Sequence, residues 1–110
     1  MRIMVTYLAK IELCSHEVRV DVKLIQSTIR LHTTTTCPRV QKYAEKLKEV
    51  NITDIAKPIH DNPAYTLARG LRATCVVPCV ILNACWAEAG LIAKSLLKER
   101  PRVVIEYKEG

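Results

Sequence analysis

Apolar and polar residues alternate through the first third of the chain. Ile3, Val5, Tyr7, Ala9, Ile11 and Leu13 share one parity, while Thr6, Lys10 and Glu12 lie on the other. Successive side chains of an extended backbone point to opposite sides, so this alternation predicts a strand with one buried face. The pattern breaks at Cys14-Ser15-His16-Glu17, where a hairpin turn is expected, and resumes at Val18, Val20, Val22 and Leu24 as a second strand. A reversal near Gln26-Ser27 leads to a third strand through Ile29, Leu31 and Thr33. Neither turn carries the glycine that usually marks a hairpin.

At Cys37-Pro38 the period changes. Val40, Tyr43, Ala44 and Leu47 recur at helical spacing, with Arg39, Lys42, Glu45, Lys46 and Glu49 opposite them. This is an amphipathic helix, and proline suits its first position because the missing N–H would have no partner there. Residues 51–61 read as a connector, with a short turn of helix capped by Thr53. Asn62-Pro63, again a cap followed by proline, opens a second helix that buries Leu67, Ala68 and Leu71. A third helix starts at Val77-Pro78 and runs to about Glu99, where Arg100-Pro101 stops it. Its first half is apolar on nearly all sides, which marks it as the central core helix. Residues 102–107 form a final strand with Val103, Ile105 and Tyr107 on one side. The order is therefore β-β-β-α-α-α-β, a single α+β domain over residues 1–110. Its helices cover one face of a two-layer, mostly antiparallel sheet.

Composition agrees with one soluble domain: 110 residues, 49% hydrophobic and 25% charged, are enough for one core. The start of the chain alternates and lacks the continuous apolar block of a signal peptide. The apolar stretch 76–97 is long enough to suggest a membrane span, but it carries Pro78, Asn83, Glu88, Lys94 and Ser95. Charge at a bilayer centre is costly, so a buried helix and a cytoplasmic location are expected. Asparagine and glutamine are scarce while Lys, Arg, Glu, Ile and Val are plentiful, a thermophile-like bias. The formal charge of +6 gives weak attraction to polyanions. The cations are dispersed and aromatics make up 5% with no phenylalanine, which argues against a base-stacking nucleic-acid surface.

The topology gives the cysteines a meaning that their spacing does not. Cys14 lies in the first hairpin turn, at the upper end of the sheet. The second strand runs down and the third runs up, so Cys37 arrives at the same end. A descending and a returning helix then bring Cys75 and Cys79 to that level. Cys14, Cys37, Cys75 and Cys79 are thus candidate metal ligands, with His16 as a candidate fifth and His32 a weaker one. Soft sulfur ligands select zinc or an iron–sulfur cluster. No pair has C-x-x-C spacing; Cys75 and Cys79 are C-x-x-x-C. A second reading is thiol redox or sulfur transfer, with Cys37 or Cys79 at a helix start as nucleophile and Cys75 as resolving partner. In a third, the cysteines are small core residues; this is favoured for Cys85, on the same helix face as Ile81. His60-Asp61 reads as a solvated loop pair, Glu88 as a partly exposed or salt-bridged glutamate, and Trp86 as core. No serine–histidine–aspartate order, glycine-rich phosphate loop or carboxylate pair stands out, so no catalytic motif is recognised. The rival from another class is a non-enzymatic interaction module, a homodimer formed through an edge strand with the cysteines simply packed.

Cys37-Pro38, following a strand and opening a helix, resembles the sulfur-carrier family, although the second proline of that motif is missing and the element order departs from it. The fuller resemblance is to a small uncharacterised prokaryotic family, a domain of unknown function common in archaea. It rests on the turn at Cys14, on Cys37-Pro38-x-Val40, on Cys75-x-Val77-Pro78, and on Leu82-Asn83-Ala84 through Ala89-Gly90-Leu91. It covers most of the chain in order and implies no established activity. It also implies Cys14, Cys37 and Cys75 as a core triplet, with no counterpart of Cys79 required; the family's turn glycines around Cys14 are absent.

Overall fold

The alternating segments pair as their parity demands. A computed structural model describes residues 4–110, so Ile3, the first member of the alternating row, lies outside the described residues. Strands β1 (Val5–Ile11), β2 (His16–Ile25) and β3 (Thr28–Thr35) form an antiparallel sheet with a short β4 (Glu49–Asn51), in the order β1-β2-β3-β4. The register sets Val5 opposite Val22, Tyr7 opposite Val20 and Ala9 opposite Val18. On the other side Val20 faces Thr33, Val22 faces Leu31 and Leu24 faces Ile29. One face therefore collects the apolar row, and Val18, Val20, Val22 and Ile29 are completely buried. The other carries Lys10, Arg19, Lys23, Arg30 and His32 to solvent. The glycine-free hairpins turn through Ser15 and Gln26, each with φ near 58°.

Helix α1 (Pro38–Lys46) packs on β3 through Val40 and Tyr43, with proline in its first turn. The chain then returns to the sheet. β4 pairs with Thr28–Arg30 and buries Val50, so Glu49, expected on the polar face of the first helix, and Asn51, expected to open the connector, belong instead to a fourth strand. Helix α2 (Pro63–Thr66) opens on the expected cap: the Asn62 side chain accepts from the Ala64 amide at 3.1 Å. Its Nδ2 donates to the Ile55 and Lys57 carbonyls at 3.1 and 3.2 Å, which satisfies a residue only 1% exposed. α2 stops after four residues. Leu67, Ala68 and Leu71 still pack against the core, but from a chain of turns rather than from a helix. So short a helix gains few hydrogen bonds for the residues it orders, and Gly70 favours turns over a further helical turn.

Helix α3 (Val77–Glu88) lies over β1 and β2 and supplies Val77, Ile81, Ala84 and Cys85 to the core. It does not reach Glu99. Gly90 adopts φ +80°, the Leu91 amide donates to Trp86 O at 2.9 Å and the Gly90 amide to Ala87 O at 3.3 Å. These two bonds make a Schellman stop, which glycine closes because it has no Cβ to clash in the left-handed region. A separate α4 (Lys94–Glu99) follows and buries none of its residues. The expected final strand is also absent: residues 101–110 are irregular and exposed. With its helix broken at Gly90, the chain is not returned to the sheet, and a segment without a neighbouring strand has nothing to pair with. The observed order is β-β-β-α-β-α-α-α, still α+β, with a four-stranded antiparallel sheet. No helix among the described residues is long and apolar enough to cross a membrane.

Three further polar groups depart from ordinary placement. Glu88 is 7% exposed and accepts from the Leu24 amide at 2.8 Å, so it is more deeply buried than its sequence context suggests. Trp86 is the reverse: 36% exposed, it spends its indole N–H on the Ile55 carbonyl at 2.8 Å. Thr33 Oγ1 is buried with no hydrogen-bond partner among the described residues. Glu88→Ala should destabilise the fold by about 1–3 kcal/mol, because it strips a buried amide of its acceptor. Glu88→Gln, which keeps an acceptor oxygen, should cost less; urea unfolding of the two variants tests the order. Thr33→Val should raise the unfolding midpoint, by roughly 1 kcal/mol, since the methyl replaces a hydroxyl that has lost its water.

Candidate thiol site

The upper end of the sheet, where β1 finishes and β3 ends, receives two of the cysteines directly. Cys14 closes a 3-10 turn (Glu12–Cys14) between β1 and β2 and is exposed, with its sulfur 3.8 Å from the Ile11 carbonyl. Two residues on, His16 Nδ1 lies 2.9 Å from Thr36 Oγ1, and Thr36 precedes Cys37. The Cys14 turn and the β3–α1 junction are thereby tied together.

Cys37 is the N-cap residue of α1. It has an extended backbone, its side chain makes no capping bond, and it is half-buried. Its amide donates to Thr35 Oγ1 at 3.1 Å and its carbonyl accepts from Gln41 N at 3.0 Å. The backbone of Cys37 is thus held while its sulfur is not used in building the helix. Arg39, in the next turn, reaches across to the Gly70 carbonyl at 3.5 Å. With Lys42, Lys46, Tyr43 and Leu67 it lines an open basic cleft of about 300 Å³.

The other sulfurs belong to α3 and its approach. Glu88 at the end of α3 bonds Leu24 at the lower end of β2, so the helix begins toward the upper end. Cys75 is half-buried just before α3, and its amide donates to Arg72 O at 2.9 Å. Cys79 is exposed in the first turn of α3. One turn on, Asn83 Nδ2 donates to the Cys79 carbonyl at 2.8 Å and lies 3.4 Å from its sulfur. Two tyrosines lie near these thiols. Burial pushes the Tyr43 hydroxyl well up, and the neighbouring Tyr65, Cys75 and Cys85 add to the shift. Burial likewise raises Tyr65, with a smaller contribution from Cys79. Tyr43 donates its hydroxyl to the Ala64 carbonyl and so fixes α2 against α1.

All five cysteines are free thiols. Among the described residues, no three His, Cys, Asp or Glu side chains come together in a group that could hold a metal ion. His32 is exposed on the outer face opposite Asp21, away from the helices. His60 and Asp61 form an exposed pair at 3.3 Å. Cys85 is a core residue with no exposed surface, and burial pushes its thiol up to about 12. Sequence reasoning did not single out Tyr43, Tyr65 and Asn83 as site residues. Tyr43 reads as an ordinary helix position, although Asn83 one turn after Cys79 was a usable signal.

A family model for a family of unknown function (DUF6951) matches residues 6–99, and the chain belongs to that family. The match spans both sheet hairpins, α1 to α4 and all five cysteines. No curated protein and no solved structure matches the chain.

The buried thiol sets an alkaline limit. Cys85 keeps its proton in the folded state up to about 12, against an ordinary 9.0. Its contribution to stability is therefore whole below pH 9 and is lost as pH rises toward 12, because the unfolded chain releases that proton first. Tyr43 acts in the same direction from its ordinary 10.0 upward. Unfolding free energy measured across this range should fall, and Cys85→Ala should flatten the first part of the fall.

Proposed function

We propose that this member of the family is a thiol-exchange protein, with Cys79 as the attacking sulfur and Cys75 as the resolving one. The observation that carries the reading is the environment of Cys79. It is exposed in the first turn of α3, with a side-chain amide donor from Asn83 3.4 Å from its sulfur. The amides at a helix start attract negative charge, and a hydrogen-bond donor beside the sulfur adds to this. Reactive cysteines characteristically combine such surroundings with access to solvent. Cys75, half-buried and one turn earlier in sequence, has the shielding expected of a partner that acts second.

The chemistry balances without a bound cofactor. Cys79 thiolate attacks one sulfur of an external disulfide, forming a mixed disulfide and expelling the other half as thiolate. Cys75 then attacks Cys79 sulfur, releasing the second half and leaving an intramolecular disulfide. The net result is reduction of the external disulfide and oxidation of the Cys75–Cys79 pair.

A second reading has its own support. The His16–Thr36 contact links the Cys14 turn to Cys37, and sulfur ligands from Cys14, Cys37, Cys75 and Cys79 would suit zinc or an iron–sulfur cluster. That reading requires the exposed Cys14 turn and the segment before α3 to close further, since a sulfur–zinc bond is only about 2.3 Å long.

Incubating the reduced chain with oxidised glutathione separates the two. Thiol exchange predicts fast glutathionylation at Cys79, followed by conversion to a Cys75–Cys79 disulfide seen by peptide mass spectrometry. Cys75→Ser should trap the mixed disulfide. Asn83→Ala should slow its formation by about fivefold, the equivalent of one hydrogen bond of roughly 1 kcal/mol. Reaction at Cys14 alone, with Cys79 inert, would sink the proposal. Stoichiometric zinc or a visible absorption band after anaerobic purification would favour the metal site instead.

A further inference from the structure

Among the described residues β1 is the longer of the sheet's two edges, and the chain carries a strand-like segment that pairs with neither. β1 is an edge strand of seven residues, paired among the described residues with β2 on one side only. Its inward row of Val5, Tyr7, Ala9 and Ile11 is only half-buried, whereas the Val18, Val20 and Val22 row beside it is completely buried. Its outer face exposes Leu8 at 58%. A long edge with apolar side chains and vacant backbone groups is a template for another strand.

Residues 102–107 have the composition and pattern of that strand. Val103, Ile105 and Tyr107 share one parity, yet they stand 76%, 81% and 82% exposed. β-branched and aromatic side chains fit a pleated, half-buried surface, and here they bury nothing. The two segments are also complementary. A parallel alignment that sets Leu8 beside Val104 also sets Lys10 beside Glu106, and brings Tyr7, Ala9 and Ile11 beside Val103, Ile105 and Tyr107.

The segment does not reach its own edge. From Ala93 to Gly110 only Leu97 is even half-buried, and the molecule is drawn out to 45 Å along one axis against 32 and 26 Å along the others. A projecting arm combined with a vacant edge is the arrangement that reciprocal exchange between identical chains completes.

We propose that residues 102–107 of one chain add as a strand to the β1 edge of a second copy, and that two copies exchange these arms to form a closed dimer. Each exchange gives the added strand a ladder of backbone hydrogen bonds and covers the open side of the inward row.

Light scattering during size-exclusion chromatography tests this on the full chain, in reductant so that exposed Cys14 cannot cross-link copies. The chain at high micromolar concentration should run at twice its monomer mass. A Val103→Asp/Ile105→Asp variant should run as a monomer with an unchanged far-ultraviolet spectrum, because neither side chain supports the domain that carries it. A monomeric parent chain overturns the proposal, whether hydrogen exchange finds residues 102–107 free or protected on their own β1. So does a dimer that survives the double substitution, since it must form through another surface.

Discussion

The valine row of β2 is the constraint on which the rest of the structure depends. Val18, Val20 and Val22 have no exposed surface, and each is flanked by a residue of β1 and a residue of β3. α3 lies across the same row, so this strand meets sheet neighbours on both sides and a helix above. Side chains alternate with a period of two, and a slip of one residue in either hairpin would turn the valines to solvent and Arg19, Asp21 and Lys23 to the core. That penalty holds the register although both turns lack glycine. It also locates the helices, because the Glu88 carboxylate on α3 must meet the Leu24 amide at the end of the same strand.

From that frame the cysteines fall into three environments. Cys85 sits against the valine face and behaves as a small apolar residue whose proton is hard to remove. Cys37 and Cys75 are half-buried where the chain enters a helix, and Cys14 and Cys79 are open to solvent. Burial disfavours the charged form of Cys85, so position alone sets it apart from the thiols that reach solvent. Tyr43 contributes by joining elements: its hydroxyl holds α2 to α1, and Cys75 packs against the same core cluster.

The two ends of the domain are finished to different degrees. On the β4 side the sheet ends in a strand of only three residues, and Asn62 ties down the loop that follows with two carbonyl bonds. The β1 side has α3 above it but, among the described residues, no strand beyond it. Gly90 is responsible for the asymmetry, since the stop it forms releases the following residues from the helix that covers β1.

Fold class, the three long strands, α1 and the core role of Cys85 could be read from local pattern, because period and proline position act over a few residues. So could the Asn62 cap and the arrival of Cys14 and Cys37 at one end of the sheet, which needs only the direction of alternating strands. The length of α3, the fourth strand and the fate of residues 102–107 could not. Gly90 is compatible with a helix interior at modest cost and becomes a stop only when the Leu91 and Gly90 amides find the carbonyls of Trp86 and Ala87. Three residues around Val50 carry too little pattern to announce a strand; they become one because α1 returns the chain beside Thr28–Arg30. Residues 102–107 alternate as a strand should, but pairing needs a neighbour, and whether one lies within reach is decided by tertiary structure. The donor beside Cys79 arises the same way, since helical geometry brings Asn83 back over a sulfur four residues earlier, and packing leaves that sulfur open to solvent.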